Sequence, residues 1–92
     1  MDYSKLAEIL KAIGHPVRLQ ILDGLSRNTG CNVNDMAEKL SIPQSTLSQH
    51  LSVLRSRSII DYRKEGVRVC YRITDNRVLE MLQLFDPEMQ SM

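Results

Sequence analysis

Three features of this 92-residue sequence predict one mainly α-helical domain carrying a single β-hairpin. Apolar residues recur at helical spacing in five separate stretches. Between residues 59 and 73 the period falls to two, with Val67, Val69, Tyr71 and Ile73 on one face and Arg68, Cys70 and Arg72 on the other. Breaker residues, among them Gly14, Pro16, Asn28-Thr29-Gly30, Pro43, Gly66 and Pro87, fall between these stretches.

The first stretch, about residues 5–14, places Leu6, Ile9, Leu10 and Ile13 at i, i+3, i+4 and i+7. Ser4 is its candidate cap and Gly14 its stop. Pro16 is placed to open a second helix, in which Val17, Ile21, Leu22 and Leu25 face inward. Asn28-Thr29-Gly30 is loop chemistry, and Cys31-Asn32-Val33 reads either as a single short strand or as the lead into a third helix. That helix, Asn34 to Leu40, turns Met36, Ala37 and Leu40 to the core. Ser41-Ile42 makes a tight turn, and Pro43 suits the first position of the next helix, where a missing N–H costs little.

The fourth helix, Pro43 to Arg57, is the centre of the chain. Leu47, Leu51 and Leu54 form its apolar stripe, and at about 3.6 residues per turn Ser45, Gln49, Ser52 and Ser56 fall opposite. A solvated face ordinarily carries Glu and Lys pairs. Short hydroxyls and amides are instead what a helix needs to hydrogen-bond base edges in a major groove. Helix, short turn and groove-reading helix, over residues 34–57, make a helix-turn-helix, although two packed helices of any small α protein would show the same pattern. Ile59 to Arg63 is β-prone, Lys64-Glu65-Gly66 is the expected turn, and the hairpin over 59–73 has a basic outer face and tip, so it reads as a wing. Thr74 or Asp75 then caps a last helix, about 75–86, with Val78, Met81, Leu82 and Phe85 as its stripe. The predicted order is α-α-β-α-α-β-β-α, a winged helix-turn-helix filling residues 1–92. The apolar surface left on the first and last helices would be buried by a two-fold partner.

Composition bounds the function. A net charge of +1 is distributed unevenly: residues 1–43 balance to zero, 44–74 carry +4 and 75–92 carry −3. The positive block coincides with the reading helix and wing, as an electrostatic footprint on DNA requires. Nothing approaches the ~18 consecutive apolar residues of a membrane span, and the N-terminus lacks a signal-peptide apolar region. A cytoplasmic protein without membrane partners is expected. No Gly-rich phosphate loop or nucleophile–base constellation argues for an enzyme.

Ala12-Ile13-Gly14-His15-Pro16-Val17-Arg18-Leu19-Gln20-Ile21-Leu22 resembles the opening of the ArsR/SmtB family of bacterial winged-helix repressors. So do Val33-Asn34-Asp35-Met36-Ala37, Gln44-Ser45-Thr46-Leu47-Ser48-Gln49-His50-Leu51 and Gly66-Val67-Arg68-Val69-Cys70-Tyr71-Arg72-Ile73, in the family's order over about residues 5–86. Within the family, Gln44 to Leu51 and the Leu84-Phe85-Asp86-Pro87 ending look most like the PagR-type regulators of Bacillus. The resemblance implies a homodimer joined through first and last helices, bound to an imperfect inverted repeat in double-stranded DNA. It implies DNA contacts from Gln44, Ser45, Thr46, Ser48, Gln49 and His50 on the helix, with Arg55 at its end and Lys64 and Arg68 on the wing.

The departures concern metal. Many members hold thiophilic metals through two cysteines flanking a Val at the start of the third helix; here those positions read Asn32-Val33-Asn34. The last helix has no histidine for a zinc site. With Cys31, Cys70, His15 and His50 the only soft or borderline ligands, neither a metal nor another cofactor is expected. Cys31 and Cys70 read either as small apolar fillers or as a redox pair, since a helix N-terminus near one and Arg68 and Arg72 around the other favour thiolate. His15 reads as a turn or helix-start residue, His50 as a phosphate or carbonyl partner, and Arg18 as a structural or DNA-contacting cation. The sequence thus predicts a dimeric, sequence-specific repressor. The alternative is a winged-helix protein-interaction module that does not bind DNA.

Overall fold

The computed structural model describes residues 1–27 and 33–86. Within them the order is α1 (Tyr3–Ile13), α2 (Pro16–Ser26), α3 (Val33–Leu40), α4 (Gln44–Ser56), β1 (Ile60–Glu65), β2 (Arg68–Ile73) and α5 (Asn76–Phe85). Five helices and one antiparallel hairpin give the mainly α, winged architecture that the periodicities predict. The expected short strand falls largely on Cys31 and Asn32, outside the described residues, while Val33 opens α3.

Each helix boundary has a local cause. Asp2, not Ser4, caps α1: its carboxylate accepts from the Lys5 N–H at 3.1 Å, and Ser4 lies inside the first turn. Gly14 ends α1 as expected, its N–H donating to the Leu10 carbonyl at 2.9 Å. A Cβ at Gly14 would stand 2.9 Å from that carbonyl oxygen, so the close approach requires glycine. His15 caps α2 through Nδ1, which accepts from the Val17 N–H at 3.1 Å, and Pro16 takes the first helical position. Pro43 stands one position earlier than expected. It is the N-cap of α4, with φ −61° and ψ 148°, and its carbonyl accepts the first helical bond from the Leu47 N–H.

Both helices of the helix-turn-helix end in the same motif. After α3, the Ile42 N–H reaches the Ala37 carbonyl and the Ser41 N–H reaches that of Glu38, each at 3.1 Å. After α4, Ile59 bonds to Leu54 and Ser58 to Arg55 in the same way. These are Schellman closures. Their pivots are Ser41 and Ser58, both left-handed, at φ 56° and 58°, a conformation that costs a residue with a Cβ about 1–2 kcal/mol. Ile42 and Ile59, which follow the pivots, turn back onto the core.

That core gathers Ile21, Leu22 and Leu25 of α2, Met36 and Ala37 of α3, and Leu47, Leu51 and Leu54 of α4. Ala12 and Ile13, Ile59 and Ile60, and Val78 close its edges. The hairpin is rooted there: Thr74 donates its N–H to the Ile59 carbonyl at 2.9 Å and its hydroxyl to that of Ser58 at 3.2 Å. Its turn is shorter and later than the predicted Lys64-Glu65-Gly66. Register pairs Ile60 with Ile73 through Glu65 with Arg68, leaving only Gly66 and Val67 in the turn. Gly66 has φ 64°, the sign a two-residue turn with glycine first demands. Val67 consequently leaves the inward face and is fully exposed at the tip. No described helix is long and apolar enough to cross a membrane.

Candidate nucleic-acid interface

Burial of Leu47, Leu51 and Leu54, none more than 2 % exposed, fixes the rotation of α4. Gln44, Ser45, Ser48, Gln49 and Ser52 are thereby presented outward. No hydrogen bond within the described residues engages the side chains of Gln44, Ser45, Ser48 or Gln49, which leaves two amides and two hydroxyls free to pair with an external surface. Ser56 is spent locally, its hydroxyl donating to the Val53 carbonyl at 2.7 Å. Thr46 is half-buried at the helix edge.

His50 lies on the flank that turns toward α2. Arg18 Nε donates to His50 Nδ1 at 3.2 Å, and the same guanidinium donates to the Ala12 carbonyl at 3.3 Å. One cation therefore ties the end of α1 to α2 and to the reading helix, through a histidine and a carbonyl rather than an ion pair. The His15 ring packs 4.8 Å from that of His50, centroid to centroid. Burial, then the positive charge of Arg18, then His15 hold the His50 imidazole below its ordinary pKa of 6.5. An Nδ1 that accepts a bond places the proton of the neutral ring on Nε2, the remaining donor.

The opposite flank meets the wing. Arg55 places Cζ 4.3 Å from the Tyr62 ring centroid, and Tyr62 leans on Tyr71, directly across the ladder, at 5.9 Å. Neither tyrosine stood out in the sequence, since their contact follows from hairpin register; strict alternation was the available signal. Lys64 and Arg68 are exposed near the wing tip, with Glu65 opposite Arg68. Arg57, at the C-terminal end of α4, is paired with Glu8 at 3.5 Å.

Cys70 sits half-buried on the outer side of β2, opposite Arg63, and is disulfide-bonded. Cys31 lies outside the described residues. Among the described residues, no group of three or more His, Cys, Asp or Glu side chains is arranged to hold a metal ion.

Comparison with known proteins agrees with this arrangement. A helix-turn-helix domain family matches residues 13–63. The HTH-type transcriptional regulator MJ1325 of Methanocaldococcus jannaschii is 44 % identical over 84 residues, covering 91 % of this chain and 94 % of the relative. The crystal structure of the transcriptional repressor PagR of Bacillus anthracis superposes with a TM-score of 0.81 at 32 % identity, covering 94 % of this chain and 98 % of the other. The homodimeric winged helix-turn-helix DNA-binding domain of Mb0332 from Mycobacterium bovis, described as a possible ArsR-family transcriptional regulator, gives a TM-score of 0.79 at 32 % identity, covering 89 % of this chain and 75 % of that one. Family, relatives and fold are those of transcriptional regulators rather than enzymes. The chain belongs to the ArsR/SmtB family of winged helix-turn-helix transcriptional repressors.

Proposed function

We propose that the protein is a cytoplasmic, homodimeric repressor that reads an imperfect inverted repeat in promoter DNA. Gln44, Ser45, Ser48 and Gln49 take base edges; Thr46, His50, Arg55, Lys64 and Arg68 take the sugar–phosphate backbone. The observation that carries this reading is the unengaged, uncharged polar face of α4, set beside a basic hairpin. Neutral His50 suits a backbone contact, because its Nε2–H can donate to a phosphate while Nδ1 remains held by Arg18. Dimerisation is assigned to α1 and α5, whose Leu10, Leu84 and Phe85 are 52 %, 67 % and 79 % exposed. The homodimeric state of Mb0332 supports it. Two such helices would meet two half-sites one turn apart.

The donor set does not favour metal sensing, with Asn32 and Asn34 where metal-binding relatives carry thiolates. Thiol control is the second reading, favoured by the disulfide at Cys70. Cys31 is its proposed partner. A dithiol reductant would supply two electrons, break the sulfur–sulfur bond and leave two thiols. Arg63 lies across the ladder from Cys70, with Arg68 and Arg72 two positions to either side of it along β2.

Selection of duplexes from genomic fragments, with reduced and oxidised protein side by side, tests both readings. A two-fold symmetric site is expected. Preference for one redox state, abolished by Cys31→Ser with Cys70→Ser, would support the switch, and equal binding would retire it. Gln49→Ala should cost on the order of 1–3 kcal/mol of discrimination against mixed-sequence DNA with an unchanged melting temperature. An intact specificity ratio would remove Gln49 from the reading face. No selected duplex in either state would favour a protein-interaction module.

A further inference from the structure

Four arginines of the described chain outside the hairpin have polar partners. Arg27 meets Asp23 and Asp86, Arg57 meets Glu8, Arg77 meets Asp75, and Arg18 holds His50. Arg55 differs. Among the described residues it has no carboxylate partner, and its guanidinium rests on a neutral ring, with Cζ 4.3 Å from the Tyr62 centroid.

We propose that Arg55, held on the Tyr62 ring, is the phosphate anchor joining the reading helix to the wing, with Tyr62 and Tyr71 as its positioning residues. The inference rests on the DNA-binding reading above and assigns a task to two residues that reading leaves unused. A guanidinium held over an aromatic ring keeps N–H donors on the side away from the ring, where two oxygens of one phosphate can be met side by side. This contact also leaves the positive charge uncompensated, which pairing with a carboxylate would not.

The support beneath Arg55 reaches the core in two steps. Tyr71 is half-buried and packs against the core cluster; Tyr62 stands directly opposite it, with ring centroids 5.9 Å apart and planes at 42°. Arg55 follows Ser48 by seven residues, about two helical turns, and so shares its flank of α4. A phosphate there would lie beside the base-reading side chains and at the root of the wing. Fixing a long side chain before DNA arrives reduces the ordering cost of binding.

Binding to mixed-sequence duplex DNA, followed by fluorescence anisotropy over a range of salt concentrations, tests the anchor without knowledge of the operator. Arg55→Ala should weaken binding on the order of tenfold per protomer and reduce the log–log salt slope by about 0.9 per protomer. Tyr62→Leu should weaken binding roughly two- to fivefold when Arg55 is present and have no effect in the Arg55→Ala background. Tyr62→Phe, which keeps the ring, should bind as the wild type does. Arg55→Lys should keep the salt slope, yet lose affinity and sensitivity to Tyr62→Leu. Thermal unfolding identifies variants fit for comparison, and the exposed Arg55→Lys and conservative Tyr62→Phe carry the test if Tyr62→Leu fails to fold. An equal loss from Tyr62→Leu in both backgrounds, an unchanged slope in Arg55→Ala, or an Arg55→Lys variant equal to wild type overturns the anchor alone. Failure of the wild type to bind any duplex overturns the repressor reading and the anchor together.

Discussion

Helices α4 and α5 carry the same kind of sequence signal and meet different fates. Both repeat apolar residues every three or four positions. In α4 the stripe is sealed: Leu47 and Leu54 are fully buried and Leu51 is 2 % exposed, enclosed by α2, α3 and the root of the hairpin. In α5 only Val78 is buried, at 3 % exposed, while Met81 and Leu82 are half-covered and Leu84 and Phe85 face outward. A period of 3.6 identifies a face with reason to be buried; it does not identify the chain that buries it. α4 is completed by its own chain, which fixes its polar face outward. α5 retains exposed apolar surface at Leu84 and Phe85, which the proposed dimer would cover.

Three substitutions would break or sharpen this contrast. The largest effect is expected from Leu51→Ala, which leaves a hole between packed helices and should cost about 2–5 kcal/mol of folding stability. Chemical denaturation measures it, and a loss below 1 kcal/mol would mean that α4 is less tightly enclosed than its burial indicates. Next, Phe85→Asp should weaken self-association by on the order of 2 kcal/mol while leaving helical content and core packing intact. Sedimentation equilibrium with circular dichroism separates the two effects; a variant that remains dimeric would place the interface elsewhere.

The smallest effect concerns His50, on the α2 flank of α4. Its folded pKa is depressed, so as pH falls the unfolded chain takes the proton first, near the ordinary value of 6.5. The stability contributed by neutral His50 is therefore present above that value and lost as pH falls through the folded pKa. The groups facing it are Arg18 of α2 and His15 at the α2 cap, both of which oppose a further positive charge. Denaturation midpoints at neutral and mildly acidic pH should converge in His50→Gln relative to wild type. An unchanged pH dependence would assign the effect to groups other than His50.

Much of this architecture is legible in the residues themselves. The leucine stripe of α4 and the breaks at Gly14 and Pro16 depend on near neighbours, and the structure has them where the residues place them; the alternation of β2 agrees at Val69, Tyr71 and Ile73 but not at Val67, which the turn takes. The misses are of two kinds. Ser4, Pro43 and the hairpin turn were misplaced by one or two positions, because adjacent residues offer nearly equivalent caps and turns: Asp2 competes with Ser4, and Gly66-Val67 with Lys64-Glu65-Gly66. The other misses are pairings. Arg57 with Glu8, Arg18 with His50 and Arg55 with Tyr62 join residues whose meeting depends on how helices cross and on which hairpin register is adopted.

The sequence by itself determined five helices, a basic hairpin and a polar, uncharged outward face on α4, because helical and strand periods and turn chemistry act over a few residues at a time. Only the tertiary structure decided which cations are neutralised, which is shared with a histidine, and which is laid on an aromatic ring. Those outcomes depend on distances between segments remote along the chain, and only packing around one core sets such distances.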